Sequence, residues 1–571
     1  MTQSEKMTTP APRPQGITHT VTNQVPPRTN VNEFLEFPVL HTGVQAFGGS
    51  GSEADLVRIG ELVGSEAFQA DAEKTNIDLP RLETHDRYGN RRDRVIYTEA
   101  YHRVISAAVK NGAHTGSWAS LEPGSNIRRA ASFMMFAQVE PGHACPISMT
   151  NAAIPSIQLN PALAKRWIPR AKSHDYSPEL GSRSDPLPNN APKTSALFGM
   201  AMTEKQGGSD VRANSTVASK AAEGIYWLSG HKWFCSAPMS DAFLVLAKID
   251  SAAADTAPSC FLVPRVLDDG SENIFRIQRL KDKVGNRSNA SSEIELDGTI
   301  GYLVGEPGRG VAAIIEMVTQ TRLDCVYGSA AGMRQSLSEA LWHARHRQAF
   351  GAKLAEQPAM SAVLADLALE SEASTLLALR LAAAHESNAS ASDVSFRRIA
   401  TAIAKYWVCK RGPNHAYEAM ECLGGNGYTE AFAVSRRYRE QPVMAIWEGS
   451  GNVIALDVLR ALTRDPDSAE AFRNELLLAR GQNALYDQHL SRLELQLMSL
   501  NSGKNPEKFI RKFVESAALA LQAKLMLEHA PANSSSTFIA ARLGTERSFE
   551  YGALSSKSNF EDILARHELA R

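Results

Sequence analysis

The sequence lacks any apolar run near the roughly 18 residues that a membrane-spanning helix requires. It also lacks an excess of either charge, because 61 basic and 62 acidic side chains give a formal net charge of -1. A balanced chain has no overall attraction for nucleic acid or for an anionic membrane surface. With 43% hydrophobic residues among 571, the composition predicts a globular protein of two to four domains.

Cysteine is scarce and widely spaced. The six cysteines include no C-x-x-C pair, which argues against a disulfide framework and against a zinc site. Free thiols are typical of a reducing compartment, so we expect an intracellular protein without a bound metal, in the cytoplasm or the mitochondrion. The first 30 residues contain one acid, Glu5, and no apolar signal core. A disordered tail and an organelle transit peptide both fit this segment.

A dinucleotide-binding G-x-G-x-x-G fingerprint is also missing. Gly305, Gly308 and Gly310 come nearest to it, but their spacing is wrong. We interpret these glycines as a turn before a helix that begins at Val311.

Hydrophobic periodicity divides the chain into five segments. They are a tail (1–33), a helical domain (34–195), a β domain (196–305), a second helical domain (306–465) and a helical extension (466–571). The predicted helices are Leu56–Gln69, Glu99–Lys110, Asn126–Gln138, Ile147–Leu163, Val311–Ala349, Met360–Ser387, Ser395–Glu421, Asn452–Thr463, Ala469–Leu500, Pro506–His529 and Ser536–Arg547.

The β domain is predicted from short segments rich in β-formers and separated by Gly, Asp, Asn and Pro. This pattern indicates an antiparallel barrel or sandwich of about 110 residues. The predicted strands are Phe198–Met202, Gly224–Ser229, Ala242–Asp250, Ser259–Val263, Phe275–Gln278 and Ser292–Leu296.

One stretch of the second helical domain combines a carboxylate with an aromatic neighbour and a flexible turn. It reads Ile-Trp-Glu-Gly-Ser-Gly-Asn from Ile446 to Asn452. Ile446 and Trp447 could remove water from Glu448, which disfavours the charged carboxylate and makes it a stronger base near neutral pH. An exposed glutamate in a loop or at a helix start explains the same residues equally well.

Two further motifs lie in the β domain. Residues 202–210 read M-T-E-K-Q-G-G-S-D, and residues 230–236 read G-H-K-W-F-C-S. A capped hairpin turn followed by a strand with core aromatics accounts for them. A loop whose hydroxyls and N–H groups meet the polar edge of a planar cofactor accounts for them too.

Taken together, the ordered motifs resemble the acyl-CoA dehydrogenase family. They are the two β-domain motifs, R-x-x-F-G at Arg347–Gly351, L-G-G-N-G-Y at Leu423–Tyr428 and W-E-G-S at Trp447–Ser450, and the resemblance spans roughly residues 100–465. The chain is most similar to the AidB-like branch. Its features there are M-T-E-K-Q-G-G-S-D-V, the run Leu280–Ser291, C-K-R-G at Cys409–Gly412 and a helical extension after residue 465.

The resemblance implies an α+β multidomain fold with an N-terminal helical domain, a central antiparallel β-barrel domain, a C-terminal helical bundle and the extra helical segment. It also implies FAD, part of which is bound by a neighbouring subunit in a homotetramer built as a dimer of dimers. The residues that match the family's FAD contacts are Met202, Thr203, Ser209, Trp233, Phe234, Ser236, Arg347, Phe350, Gln357, Gly424, Gly425, Ser450 and Asn452. Arg347, Phe350, Gln357, Gly424 and Gly425 are those that reach across the interface.

Glu448 matches the family's catalytic base, which takes an α-proton while a β-hydride passes to N5 of the flavin. The resemblance also implies that some family members carry the base on the helix that contains residues 319–321. Those residues offer no carboxylate, so Glu448 is the only candidate for the base. Ser209, Arg322, Trp447 and Gly449 match substrate-side positions, with Arg322 at the CoA site. A surface ion pair of Arg322 with Asp324 or Glu316 is the alternative.

Two positions depart from the family pattern. Glu421 stands where relatives often have an FAD-contacting glutamine, and Lys205-Gln206 replaces the usual Pro-Gly.

We therefore expect an FAD-dependent dehydrogenase of long-chain or branched fatty acyl-CoA, with an electron-transferring flavoprotein as a candidate acceptor. The alternative is an AidB-like flavoprotein that sequesters acyl-CoA or protects nucleic acid, with little turnover. Residues 466–571 carry 13 basic and 13 acidic side chains, and this neutral balance argues against nucleic acid.

Overall fold

The structure is a computed structural model that describes residues 16, 18–250, 257–545 and 548–567. The expectations for the first residues, a disordered tail or a transit peptide, lie outside this range, as does Arg547 at the end of one predicted helix. At the end of the segment that we assigned to the tail, Val31 and Glu33 are buried and the Asn30 N–H donates to the Gly64 carbonyl at 2.7 Å, so this part packs on the first helical domain.

The described residues form nineteen α-helices, which belong to the two helical domains and the extension. The helices are α1 (Pro38–Ala46), α2 (Glu53–Gly64), α3 (Glu66–Ile77), α4 (Glu99–Lys110), α5 (Gly116–Ala119), α6 (Ser125–Val139), α7 (Ala144–Ile157), α8 (Pro161–Ala171), α9 (Gly310–Ala313), α10 (Ile315–His346), α11 (Pro358–Ala383), α12 (Ala391–Glu421), α13 (Ala433–Ile446), α14 (Gly451–Arg464), α15 (Pro466–Leu477), α16 (Ala484–Ser502), α17 (Ile510–His529), α18 (Ala532–Leu543) and α19 (Phe560–Ala565).

Helix α4 has the predicted bounds, whereas three predicted helices each divide into two at a capped helix start. Each division falls at a polar residue whose side chain caps the second helix: Ser65 before α3, Asn160 before α8 and Asn483 before α16. A capping side chain satisfies the free N–H groups of a new helix start, so apolar periodicity continues across the break while the helix does not. The predicted helix Val311–Ala349 divides at Ile314 into α9 and α10 and ends before the β10–β11 hairpin. Helices α1, α5, α13 and α19 were not predicted.

The described residues contain eleven β-strands. They are β1 (Arg81–His85), β2 (Arg91–Ile96), β3 (Phe198–Ala201), β4 (Val217–Ala222), β5 (Ile225–Ser236), β6 (Ala242–Ile249), β7 (Ser259–Pro264), β8 (Arg276–Leu280), β9 (Ser291–Val304), β10 (Gln348–Ala349) and β11 (Ala352–Lys353). The hairpins β1–β2 and β10–β11 and strand β4 were missed by the sequence prediction.

The expected β domain is present, but its sheet is mixed rather than purely antiparallel. The strand order is β3-β6-β4-β5-β9-β7, with β8 on β9 and a further pairing of β6 with β7. Strand β6 is parallel to β3 and to β4, and the other pairings are antiparallel. Parallel strands need a long crossover connection between them. Other strands lie between β3 and β6 and between β4 and β6 along the chain, so such a connection is available.

The helical domains and the extension share one hydrophobic core. It runs from Phe34 in the first domain through Leu337 of α10 to Phe513 of α17, while the β domain has a core of its own around Phe243. The extension therefore packs on the body of the protein. No helix within the described ranges is both long and apolar enough to cross a membrane.

Candidate active site

The site is centred on the turn between α13 and α14, which carries Glu448. Glu448 has a φ of +56° and Gly449 a φ of +105°, so two consecutive residues adopt left-handed backbone conformations. For a residue with a side chain this conformation costs about 1 kcal/mol. The turn therefore depends on contacts from elsewhere in the chain to keep the carboxylate in place.

Two buried or half-buried cations hold the backbone of this turn. The Lys405 ammonium donates to the Trp447 carbonyl at 2.8 Å and to the Gly449 carbonyl at 2.7 Å. The Arg322 Nε donates to the Glu448 carbonyl at 3.1 Å. Three successive carbonyls thus accept hydrogen bonds from cationic side chains of α10 and α12.

Arg322 is half-buried, and its ion pair is not the one that we considered from sequence. Its Nη1 lies 2.7 Å from Asp457 on α14, while Asp324 pairs with the buried Arg129 at 2.6 Å. Arg322 consequently connects the Glu448 turn to the following helix.

Among the described residues, the carboxylate of Glu448 has one side-chain hydrogen-bond partner. The Thr321 hydroxyl donates to its Oε2 at 2.7 Å. Burial raises the pKa of Glu448 above its ordinary value, and the Thr321 hydrogen bond and the charges of Arg322 and Lys405 partly oppose this shift. A carboxylate with a raised pKa accepts a proton more readily than an exposed carboxylate does, which suits a general base.

An apolar wall lies beside the turn. Cys145, Met149 and Ala237 form a buried cluster, and Trp447 and Met200 pack against it. Ile446, which we expected to help desolvate Glu448, is 66% exposed and does not belong to this wall. The packed residues come from α7, β3 and the end of β5, so the helical and β domains meet here.

The first β-domain motif is tied to the second by a buried ion pair. The Lys232 ammonium lies 2.7 Å from Glu204, and Glu204 also accepts from the Thr216 hydroxyl at 2.6 Å. The Trp233 N–H donates to the Thr203 carbonyl at 2.9 Å. These bonds place Thr203 beside the strand that carries Trp233, as the cofactor hypothesis requires.

The substituted loop residues are accounted for locally. The Lys205 N–H donates to the His231 ring at 3.0 Å, and the Gln206 amide donates to Glu204 at 2.8 Å. Glu421 is exposed and hydrogen-bonds Tyr417.

A second group of predicted residues lies at the β10–β11 hairpin. Phe350, at its tip, is 100% exposed with a φ of +52°, and the Gln357 amide donates to the Ala349 carbonyl at 2.9 Å. Gly424 and Gly425 are exposed in a short 3₁₀ segment. A fully exposed aromatic on a strained turn is unusual for an isolated chain and is consistent with a partner subunit that covers it.

The donors and surfaces around the turn suit FAD. Trp447 has a buried indole N–H for which no partner is found among the described residues, and Phe234 presents a half-exposed ring. Hydroxyls of Thr203, Ser236 and Ser450 supply further polar atoms. A planar ligand with polar edges matches this mixture of rings, hydroxyls and free N–H groups.

Sequence analysis missed three residues that contact the site. Thr321 and Cys145 carry no local signal. Lys405 does, since it is a lone cation within an apolar stretch of α12, and buried lysines need partners.

Comparison with known proteins gives a consistent assignment. Residues 23–178 match the adaptive response protein AidB N-terminal domain, 199–299 the acyl-CoA dehydrogenase middle domain and 308–463 the acyl-CoA dehydrogenase C-terminal domain. The chain is 42% identical over 482 residues to "Putative acyl-CoA dehydrogenase AidB" of Escherichia coli (strain K12), which covers 84% of this chain and 87% of that protein.

Two solved structures resemble this fold. The Caenorhabditis elegans ACDH-11 complex with C11-CoA superposes with a TM-score of 0.81 at 25% identity, covering 96% of this chain and 93% of that chain. An acyl-CoA dehydrogenase from Bacillus anthracis complexed with FAD gives a TM-score of 0.61 at 18% identity, over 77% and 79% of the two chains, and so shows the fold alone.

Proposed function

This chain belongs to the acyl-CoA dehydrogenase family, in its AidB branch, and from that membership we propose that Glu448 is the α-proton base of an FAD-dependent dehydrogenation of fatty acyl-CoA. The observation that carries the proposal is the carboxylate itself. It accepts a hydrogen bond from Thr321, burial raises its pKa, and its neighbour Trp447 packs against an apolar cluster.

The chain's own residues would do the following. The deprotonated Glu448 carboxylate takes the α-proton, and the Thr321 hydroxyl keeps that carboxylate oriented. Lys405 and Arg322 keep the strained backbone from relaxing, and Trp447 excludes water from the acyl group. FAD, the cofactor of this family, accepts the β-hydrogen with its electron pair when it is bound.

The residues proposed to hold FAD form two sets, one in the β domain and beside the Glu448 turn and the other at the β10–β11 hairpin and the short 3₁₀ segment. We propose that Met202, Thr203, Ser209, Trp233, Phe234 and Ser236 of the β domain contact FAD together with Ser450 and Asn452 beside the Glu448 turn. We propose that the second set serves the FAD of a partner subunit in a homotetramer. Its members are Arg347, Phe350, Gln357, Gly424 and Gly425. The Arg347 guanidinium suits a diphosphate because it can donate paired hydrogen bonds.

We propose a fatty acyl chain as the substrate, long or branched, and an electron-transferring flavoprotein as the acceptor. The C11-CoA ligand of the similar C. elegans protein supports an acyl chain of that order of length. Ser209 and Gly449 are proposed to contact the thioester end, and Trp447 the acyl chain. Arg322 is proposed to act through the Glu448 turn that it hydrogen-bonds.

The test is anaerobic addition of undecanoyl-CoA to the FAD-loaded protein. The wild-type flavin absorbance should bleach, and Glu448→Gln should retain FAD but bleach slower by roughly 10²- to 10⁴-fold, the usual contribution of a general base. Glu316→Gln, an exposed glutamate on the same helix as Thr321, is the matched control and should bleach like wild type.

Equal bleaching in Glu448→Gln would remove Glu448 from its assigned role. Tight binding of undecanoyl-CoA by wild type with no bleaching would instead favour the AidB-like alternative, in which acyl-CoA is held with little turnover.

A further inference from the structure

Two cations from different parts of the chain meet at the first residues of α14. Lys410 of α12 lies so close to Gly451 that a Cβ there would be 2.8 Å from the Lys410 Nζ. Arg511, in the first turn of α17, donates from Nη1 to the Asn452 side-chain oxygen at 3.1 Å and from Nε to the Tyr406 hydroxyl at 3.0 Å. The C-terminal extension thereby reaches the turn that carries Glu448.

Neither cation is neutralised by a carboxylate within the described part of the chain. The acid on α14, Asp457, is already taken by Arg322 at 2.7 Å, Arg398 at 3.2 Å and Arg460 at 3.0 Å. Burial and the charges of Arg511 and Lys405 lower the pKa of Lys410, so these cations repel one another.

The local backbone adds to the positive potential. Helix α14 begins at Gly451, and its N-cap residue Ser450 makes no side-chain capping bond. A helix start carries a partial positive charge, so cations are disfavoured beside it unless an anion joins them. Lys410 and Arg511 are thus placed where they cost stability in the free chain and would stabilise a bound anion.

We propose that Arg511 and Lys410 form a phosphate-binding pair that the extension and the core build together beside Ser450 and Asn452. Both cations lie over the Tyr406 ring, with the Lys410 Nζ 5.4 Å and the Arg511 Cζ 5.8 Å from its centroid. A guanidinium and an ammonium placed together in this way suit the several oxygens of a phosphate or diphosphate. The inference rests on the proposed function, which supplies two sources of that chemistry, the diphosphate of FAD and the phosphates of acyl-CoA. It gives the extension a binding role in addition to its packing role.

The experiment measures dissociation constants of Arg511→Ala for FAD, by flavin fluorescence of the apoprotein, and for undecanoyl-CoA, by calorimetry of the FAD-loaded protein. The affinity for one of them should fall roughly 10-fold, as expected for the loss of a charged hydrogen bond. Arg511→Lys should recover part of it. Lys512→Ala, the neighbouring exposed cation on α17, should leave both constants unchanged.

The two ligands separate the sources. Weaker FAD binding alone assigns the pair to the diphosphate of the cofactor, and weaker undecanoyl-CoA binding alone assigns it to CoA. In either case the wild-type affinity should decline more steeply with salt than that of Arg511→Ala, because an ionic contact is screened.

The inference is overturned if both constants stay within twofold of wild type, or if both fall together with the melting temperature of the apoprotein. The latter result would make Arg511 a structural residue. A wild-type protein that binds FAD but is not reduced would count against the proposed function and leave this test of binding intact.

Discussion

At the scale of single residues, the site depends on a conformation that its sequence does not favour. Glu448 adopts a left-handed backbone, which asparagine and glycine adopt more readily than glutamate. Strain of this kind persists only where the surroundings fix it, and here Lys405 and Arg322 hold the carbonyls on both sides. The contacts from neighbouring side chains therefore maintain the left-handed backbone at Glu448 and fix the position of its carboxylate.

The Thr321 hydroxyl should tune the pH dependence. Its hydrogen bond lowers the pKa of Glu448 against the larger, opposite effect of burial. Without it the pKa rises further, so protonation disables the base at a higher pH. In Thr321→Val the acidic limb of the kcat profile should therefore move to higher pH, with FAD content unchanged.

The control for this prediction is Thr319→Val, two residues earlier on α10, whose hydroxyl bonds the Ile315 carbonyl. Its acidic limb should coincide with that of wild type. A Thr321→Val profile that also coincided would show that the hydroxyl does not act on the base.

At the scale of elements, α13 links the β domain to the Glu448 turn. The loop Leu280–Ser291, part of the AidB-like pattern, docks on this helix. The Asn286 N–H donates to the Glu440 carboxylate at 2.9 Å, and a Cβ on Gly285 would lie 2.0 Å from the Arg439 carbonyl oxygen. The motif is therefore explained by close backbone contact with the helix that ends at Ile446.

Gly285→Ala should destabilise the protein. A backbone carbonyl cannot rotate away as a side chain can, so the loop must separate from α13, at a cost of about 1–3 kcal/mol for an overpacked contact. Urea unfolding measures the change. Gly51→Ala, where a Cβ meets nothing within 4 Å, is the control, and equal stability of the two variants would contradict the close contact.

The extension is attached to α11 through buried charges. Arg542 of α18 lies 2.6 Å from Asp366 and 3.3 Å from Glu370, and both carboxylates are buried. A buried carboxylate that loses its partner is left uncompensated in a poorly polarisable interior. The core of the protein thus requires the extension.

Arg542→Met should lower the free energy of unfolding by about 3–5 kcal/mol, the usual effect of removing one partner of a buried ion pair. Arg473→Ala breaks an exposed pair with Glu494 in the same extension and should cost less than about 1 kcal/mol. Thermal unfolding of both variants checks the ranking, and similar melting temperatures would contradict it.

At the scale of the whole molecule, the hairpin that presents Phe350 is supported by the N-terminal segment. The Asn23 amide donates to the Gln348 carbonyl at 2.8 Å, and the Gln348 N–H donates to the Asn23 side-chain oxygen at 2.9 Å. Arg347 also donates to the Asn23 carbonyl. The exposed tip is therefore a fixed projection, as a contact with a partner subunit would require.

A site shared between subunits should show complementation. Chains carrying Arg347→Ala lack the donated guanidinium, and chains carrying Glu448→Gln lack the base. In a mixed dimer one site combines the intact residue of each chain, so co-expression should restore about a quarter of wild-type activity if the chains pair at random. Each variant alone should remain inactive.

Activity that stays at the level of the separate variants would place Arg347 and Glu448 in the same site of one chain. Two different affinity tags, one on each variant, and sequential purification on both confirm that mixed oligomers are present.

The amino-acid sequence by itself determined the family, the order of domains and most helices. Glu448 could be proposed as the base from sequence because Trp447, Gly449 and Ser450 lie beside it in the chain, and such a local motif is visible without knowledge of the fold. Ser65 and Asn160 are residue types that commonly cap helices, but the apolar periodicity continues past both of them. The sequence prediction therefore joined α2 to α3 and α7 to α8. The parallel pairing of β6 was not visible, because strand neighbours separated in sequence leave no local pattern.

The tertiary structure alone decided what surrounds the carboxylate. Thr321 and Lys405 contact the turn and Arg511 contacts the following helix, and the three come from three different helices. Of the three, Lys405 alone stands out in its local sequence, and that sequence does not show which groups it binds. Their effects on Glu448 and on α14 come from distances of a few ångströms between side chains far apart in the chain. Hydrogen bonding and electrostatic interaction depend on those distances, and only the folded chain sets them.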